Sequence, residues 1–135
     1  MRPHYWNQQQ WKKNNVMNEI GLFDINFDTG ECYWSFELKR MLGVRHDVPA
    51  EFHLLLRRIH PDDRRAFGRN AMKPFRFDCP KHSSIEFRVV YEDGRVQWLH
   101  MERRAIGRDS NPEDVVRIVG FALEIGAPAG LPRAA

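Results

Sequence analysis

Long apolar runs are absent from this chain, so no segment has the length that a membrane-spanning helix requires. The opening stretch, Met-Arg-Pro-His-Tyr-Trp-Asn-Gln-Gln-Gln, also lacks the apolar core of a secretory leader. Cysteine is scarce. Cys32 and Cys79 are the only two in 135 residues, and without a leader they are expected to remain thiols. These absences predict a cytoplasmic protein. Phosphate loops of the Gly-Lys-Ser/Thr type and nucleophile turns of the Gly-x-Ser-x-Gly type are missing too. Cys79-Pro-Lys-His82 has ligand-like spacing but no second pair to complete a structural zinc site. The sequence therefore predicts no metal site, no catalytic residue and no enzyme.

Nor is charge of one sign gathered anywhere. The net charge is +3 and the pI about 9.1, yet Arg57-Arg58, Arg64-Arg65, Arg69, Arg88 and Arg103-Arg104 are interleaved with Asp and Glu. That scatter favours a solvated mixed surface over a phosphate-binding stripe. Binding of nucleic acid or nucleotide phosphate through the arginines of the helical segments stays as the alternative function, and a steep salt dependence would reveal it.

What the chain does contain is strand. Ile85 to Tyr91 and Val96 to Ile106 are rich in β-branched, aromatic and long apolar residues, and Asp93-Gly94 between them reads as a tight type I′ turn. A two-residue turn sets Tyr91 against Val96, Val89 against Trp98 and Phe87 against His100 on one face, with Arg88/Leu99 and Glu86/Met101 on the other. Trp98 is then expected to be buried against Val89. Gly107 and Asp109-Ser110-Asn111-Pro112 mark a loop before a third strand, Val115 to Ile125.

Upstream, Gly21 to Phe27 alternates with Phe23, Ile25 and Phe27 on one face, and Glu31 to Trp34 returns as a second strand. Ser35 is placed to cap a short helix through Leu42, with Gly43 at its end. Phe52, Leu55, Leu56 and Ile59 recur at helical spacing, and Asp62 or Asp63 is expected to cap a helix from Arg64 to Ala71 that buries Ala66, Phe67 and Met72. Residues 73–83, with Pro74 and Pro80, read as loop. The order predicts an α+β fold, one five-stranded antiparallel sheet with short helices on one face. Residues 1–19 are assigned to an N-terminal flanking helix, 20–125 to the domain and 126–135 to a flexible tail.

Four stretches in this order resemble the PAS family of bacterial sensors. They are Gly21 to Ser35, Ile59 to Arg64 (Ile-His-Pro-Asp-Asp-Arg), Glu86 to Trp98 and Arg117 to Ala122. The resemblance implies strand order 2-1-5-4-3, helices enclosing a core or small cavity, and a role in sensing, cofactor binding, dimerisation or partner docking. Flavin photoreceptor members carry an Asn-Cys-Arg motif, which this chain lacks. Haem-binding members place an axial histidine on the long helix, which here holds none, leaving His53 on the preceding helix as the exceptional haem candidate. No cofactor is otherwise expected. Similar domains often continue into an output helix; here Gly126, Pro128, Gly130 and Pro132 interrupt one, so a signal is expected to pass through a binding surface.

The resulting expectation is a non-catalytic sensory or protein-interaction module. Phe23, Trp34, Phe67, Phe87 and Trp98 are the candidates to line a ligand pocket. Trp6, Trp11 and Met17 are the candidates for a homodimer or signalling-partner interface, since large apolar side chains on a polar stretch suit an interface. The competing arrangement lays the N-terminal helix on its own sheet, over Leu99 and Met101.

Overall fold

The computed structural model describes residues 19–77 and 80–128. Trp6, Trp11 and Met17, most of the flanking segment 1–19, residues 129–135 of the tail and Cys79 lie outside them. The elements are β1 (Ile20–Asn26), β2 (Cys32–Trp34), α1 (Phe36–Met41), α2 (Phe52–Arg58), α3 (Pro61–Met72), β3 (His82–Val90), β4 (Val96–Arg108) and β5 (Asn111–Ile125), with a 3₁₀ turn at Lys73–Phe75 after α3. The strands form one antiparallel sheet of order β2-β1-β5-β4-β3, the expected one. Both chain-terminal strands are thus central, and β2 and β3 form the edges.

Local chemistry explains how the helices attach to the sheet. Ser35 Oγ accepts from Leu38 N at 3.2 Å, capping α1, and from Leu22 N at 2.9 Å, so one hydroxyl joins the helix start to β1. At the other end of α1, the Tyr91 hydroxyl donates to Met41 O at 2.7 Å and satisfies a carbonyl that the helix leaves open. Ile59 bridges to Val89 and His60 N donates to Arg88 O at 2.8 Å, which covers the outer edge of β3.

The cap of α3 differs from expectation. Pro61 begins the helix and the His60 ring accepts from Asp62 N through Nδ1 at 3.1 Å, while Asp63 turns away to Arg88. With Pro61 at the first helical position, the side chain before it is the one placed to reach the open amides. Of the residues expected to face inward from α3, Phe67 is buried, but Ala66 and Met72 are exposed and Asn70 takes an inward place.

The β3–β4 hairpin pairs one residue out of the expected register. Its connection is a three-residue loop, Glu92-Asp93-Gly94, closed by Tyr91 N donating to Arg95 O and Gly94 N to Tyr91 O, both at 2.9 Å. Gly94 has φ 89°, the left-handed conformation that completes a type I turn followed by a bulge. Asp-Gly serves either turn, and the additional residue shifts the pairing by one. Phe87 consequently faces Leu99, Arg88 faces Trp98 and Ile85 faces Met101. Val89 faces Gln97, so Trp98 stands on the outer face instead of in the core. Leu99 and Met101, placed outward by the two-residue turn, are buried under the helices. The β4–β5 connection is also shorter than expected: Arg108 pairs with Asn111 after register shifts at Gly107, and β5 begins at Asn111.

Candidate functional site

Between the sheet and the helices lies a cavity of about 420 Å³. Its floor follows from strand alternation. Phe23 and Ile25 of β1, Trp34 of β2, Met101 and Arg103 of β4 and Ile118 of β5 point to the same side. Its roof comes from Leu38 of α1, Leu55 of α2 and Phe67 of α3. Phe67 meets Phe87 edge to face at 4.9 Å, so Phe87 supports the wall from the core without lining the cavity. The exposed lining residues, among them Phe27, Glu51, Phe52 and Phe75, form the rim, where Phe27 and Phe75 meet edge to face at 5.3 Å.

Almost all of this surface is apolar, with two inner exceptions. Cys32 is half-buried in β2, and burial pushes its thiol above the ordinary range. Arg103 is only 6% exposed. Its Nη2 donates to Asn70 O at 2.7 Å and Ser83 Oγ at 3.2 Å, and burial pulls its pKa down from the ordinary value. Among the described residues no carboxylate pairs with it, and its Nε is buried without a partner.

Of the five aromatic candidates, Phe23, Trp34 and Phe67 line the cavity, Phe87 stands behind it and Trp98 lies across the sheet. The sequence places Met101 on the opposite face and Arg103 among the solvated arginines, and it does not single out Asn70; all three are buried here. The period-two series Leu99, Met101, Arg103, Ala105 carries the signal for an inward Arg103, but only when β4 is assigned to the correct face. His53 is exposed on α2 beside Glu51, Leu56, Arg57 and Arg64, in a separate shallow depression. No group of three or more metal-ligating side chains is gathered among the described residues.

The opposite face of the sheet is charged along β3 and β4. His100 contacts Glu86 through Nδ1 and Glu102 through Nε2, each at 3.0 Å, and Glu102 also meets His82 at 3.0 Å. Burial opposes the charged imidazole, but the hydrogen bonds to the two carboxylates outweigh it and raise the His100 pKa. Beside this chain of groups, the Arg88 guanidinium lies 5.2 Å from the Trp98 ring centroid. Several arginines of the helical layer are engaged locally. Arg64 donates to Ile59 O at 3.0 Å and to Arg57 O at 3.3 Å, and Arg58 approaches Glu92 at 3.7 Å.

Residues 31–122 match the family described as PAS fold. The chain belongs to the PAS family. Sensor protein FixL of Bradyrhizobium diazoefficiens is 31% identical to this PAS chain in an alignment of 84 residues that covers 59% of the chain and 15% of FixL. The chain therefore spans a small part of that relative's length. A sensory box histidine kinase/response regulator from Burkholderia thailandensis E264 has a solved structure similar to this PAS domain. Its TM-score is 0.63 at 24% identity, covering 88% of this chain and 85% of that one. A domain of a light and redox sensing histidine kinase of Haloarcula marismortui gives a TM-score of 0.68 at 20% identity, with 87% and 99% covered. At these identities the two structures establish the fold. No helix among the described residues is long and apolar enough to cross a membrane.

Proposed function

We propose that this PAS domain is a non-catalytic sensory module that binds a small molecule in the cavity under α1–α3 and passes the signal through dimer or partner contacts. The observation that carries the reading is the cavity itself. It is about 420 Å³, within the range of small-molecule sites, and its walls are apolar apart from a few polar groups. Ligand occupancy would bear on α2 and α3 through Phe52, Leu55 and Phe67, which line it from the helical side. The sensor relatives support a signalling role for such a domain.

Fluorescence of 1-aminoanthracene, an uncharged apolar probe, tests the binding part. Saturable enhancement in the wild type that is lost in Ala71→Trp, a substitution that fills space at a lining residue, is the expected result. No enhancement, or enhancement equal in both folded proteins, contradicts it. The module is further proposed to be colourless as purified. A Soret band that disappears in His53→Ala would instead make it a haem sensor.

For the outward contacts, Trp6, Trp11 and Met17 remain the proposed residues. Deleting the residues before Met17 should convert a dimer into a folded monomer, as read by light scattering. A protein that is monomeric before and after deletion removes self-association and leaves a foreign partner, or a flap on the chain's own sheet, as the proposed contact.

A further inference from the structure

A guanidinium is always charged near neutral pH, and removing it from water without an anion is costly. Arg103 is placed in that position. It stands on β4 between Met101 and Ala105, is 6% exposed and lines the cavity among apolar side chains. Both of its hydrogen bonds use Nη2 and go to neutral oxygens, Asn70 O and Ser83 Oγ. The Asn70 carbonyl belongs to the last turn of α3, so Arg103 also has a structural task at that helix end. That task occupies one nitrogen. Nε is left buried and unpaired, whereas Arg88, Arg108 and Arg117, the ion-paired arginines of the strands among the described residues, each have an aspartate. The carboxylate lining the cavity, Glu51, is exposed at the rim.

We propose that the cavity ligand is a small carboxylate with an apolar body, its carboxylate paired with the Arg103 guanidinium and its body packed among Phe23, Trp34, Phe67 and Met101. This rests on the cavity being a ligand site. A carboxylate would supply the charge that Arg103 lacks, and charge-assisted bonds to a guanidinium are among the stronger ones available in a dry site. The apolar wall selects against small hydrophilic anions, which leave that surface uncovered.

Competition against bound 1-aminoanthracene separates the two layers of the claim. Octanoate should displace the probe at a concentration about tenfold lower than 1-octanol does, because only the acid forms the charge-assisted pair. In Arg103→Met, which keeps an unbranched apolar side chain, the two competitors should become equal, and in Arg103→Lys part of the preference should return. Should Arg103→Met fail to fold, the wild-type ratio decides alone. Octanol competing as well as octanoate while the probe binds overturns the carboxylate assignment and leaves the cavity reading intact. A wild type that binds no probe overturns both.

Discussion

Asp63 accepts three hydrogen bonds from Arg88: from its backbone N at 2.8 Å, from Nε at 2.9 Å and from Nη2 at 2.7 Å. This bidentate pair, with its backbone bond, ties the first turn of α3 to the edge strand β3. It therefore fixes the helix that carries Phe67 over the cavity. Both side chains are largely shielded, at 25% and 17% exposure, so the interaction exceeds an ordinary surface ion pair.

Asp63→Ala should accordingly lower stability by about 2–3 kcal/mol, the scale of hydrogen bonds to a charged group. Burial raises the pKa of the acid, but the Arg88 bonds outweigh it and leave it lowered. The stabilisation is then present above the ordinary aspartate value of about 3.9 and is lost as pH falls through the lower folded value. Denaturant titrations at neutral and acid pH should show the gap between wild type and variant closing in acid; a gap independent of pH excludes the ionised pair as its source.

The hairpin register makes a second prediction. Leu99 is fully buried opposite Phe87, whereas Trp98 lies on the outer face under Arg88. Leu99→Ala should cost about 2–5 kcal/mol. Trp98→Ala should cost closer to about 1 kcal/mol, from an accessible cation–π contact and partial burial. Denaturation midpoints in which the tryptophan variant is the worse of the two would contradict this pairing.

His100 gives the sheet a pH dependence of opposite sign. Its folded pKa is raised, so its contribution is full below the ordinary value of about 6.5 and disappears as pH rises through the folded value. The neighbouring Glu102 is lowered by its hydrogen bond to His100 despite burial, with a further contribution from His82. Glu86 and His82 on β3 complete the cluster. Thermal midpoints of the wild type should therefore fall on raising the pH from about 6 to about 9. His100→Gln should lose that part of the slope, and an unchanged slope would remove His100 as its cause.

Much of the fold could be read along the chain because the signals were local. Phe23, Ile25 and Phe27 alternate, Ser35 precedes an α-helical spacing, and the strand groups flank the helices. The β4 face could not be read the same way, since Asp93-Gly94 fits two turns that differ by one residue, and only tertiary packing selects between them. That ambiguity misplaced Trp98 and concealed Arg103 together. Asn70 was hidden for another reason: a polar side chain near the end of a helix reads as solvated until the strand beside it is known, and here its amide donates to Ser84 O at 3.3 Å. Phe23, Trp34 and Phe67, large apolar residues on elements of correctly assigned face, were legible as cavity walls.

The central claim is that a small molecule enters the space between sheet and helices, and methyl NMR of labelled methionines tests it most directly. Met101 and Met72 line the cavity, while Met41 is fully buried in the core outside it. Titration with 1-aminoanthracene should move the Met101 and Met72 methyl resonances in saturable fashion and leave Met41 nearly unchanged. Met101 remaining still while the probe binds, or all three moving alike, would place the probe elsewhere and contradict a ligand site under α1–α3.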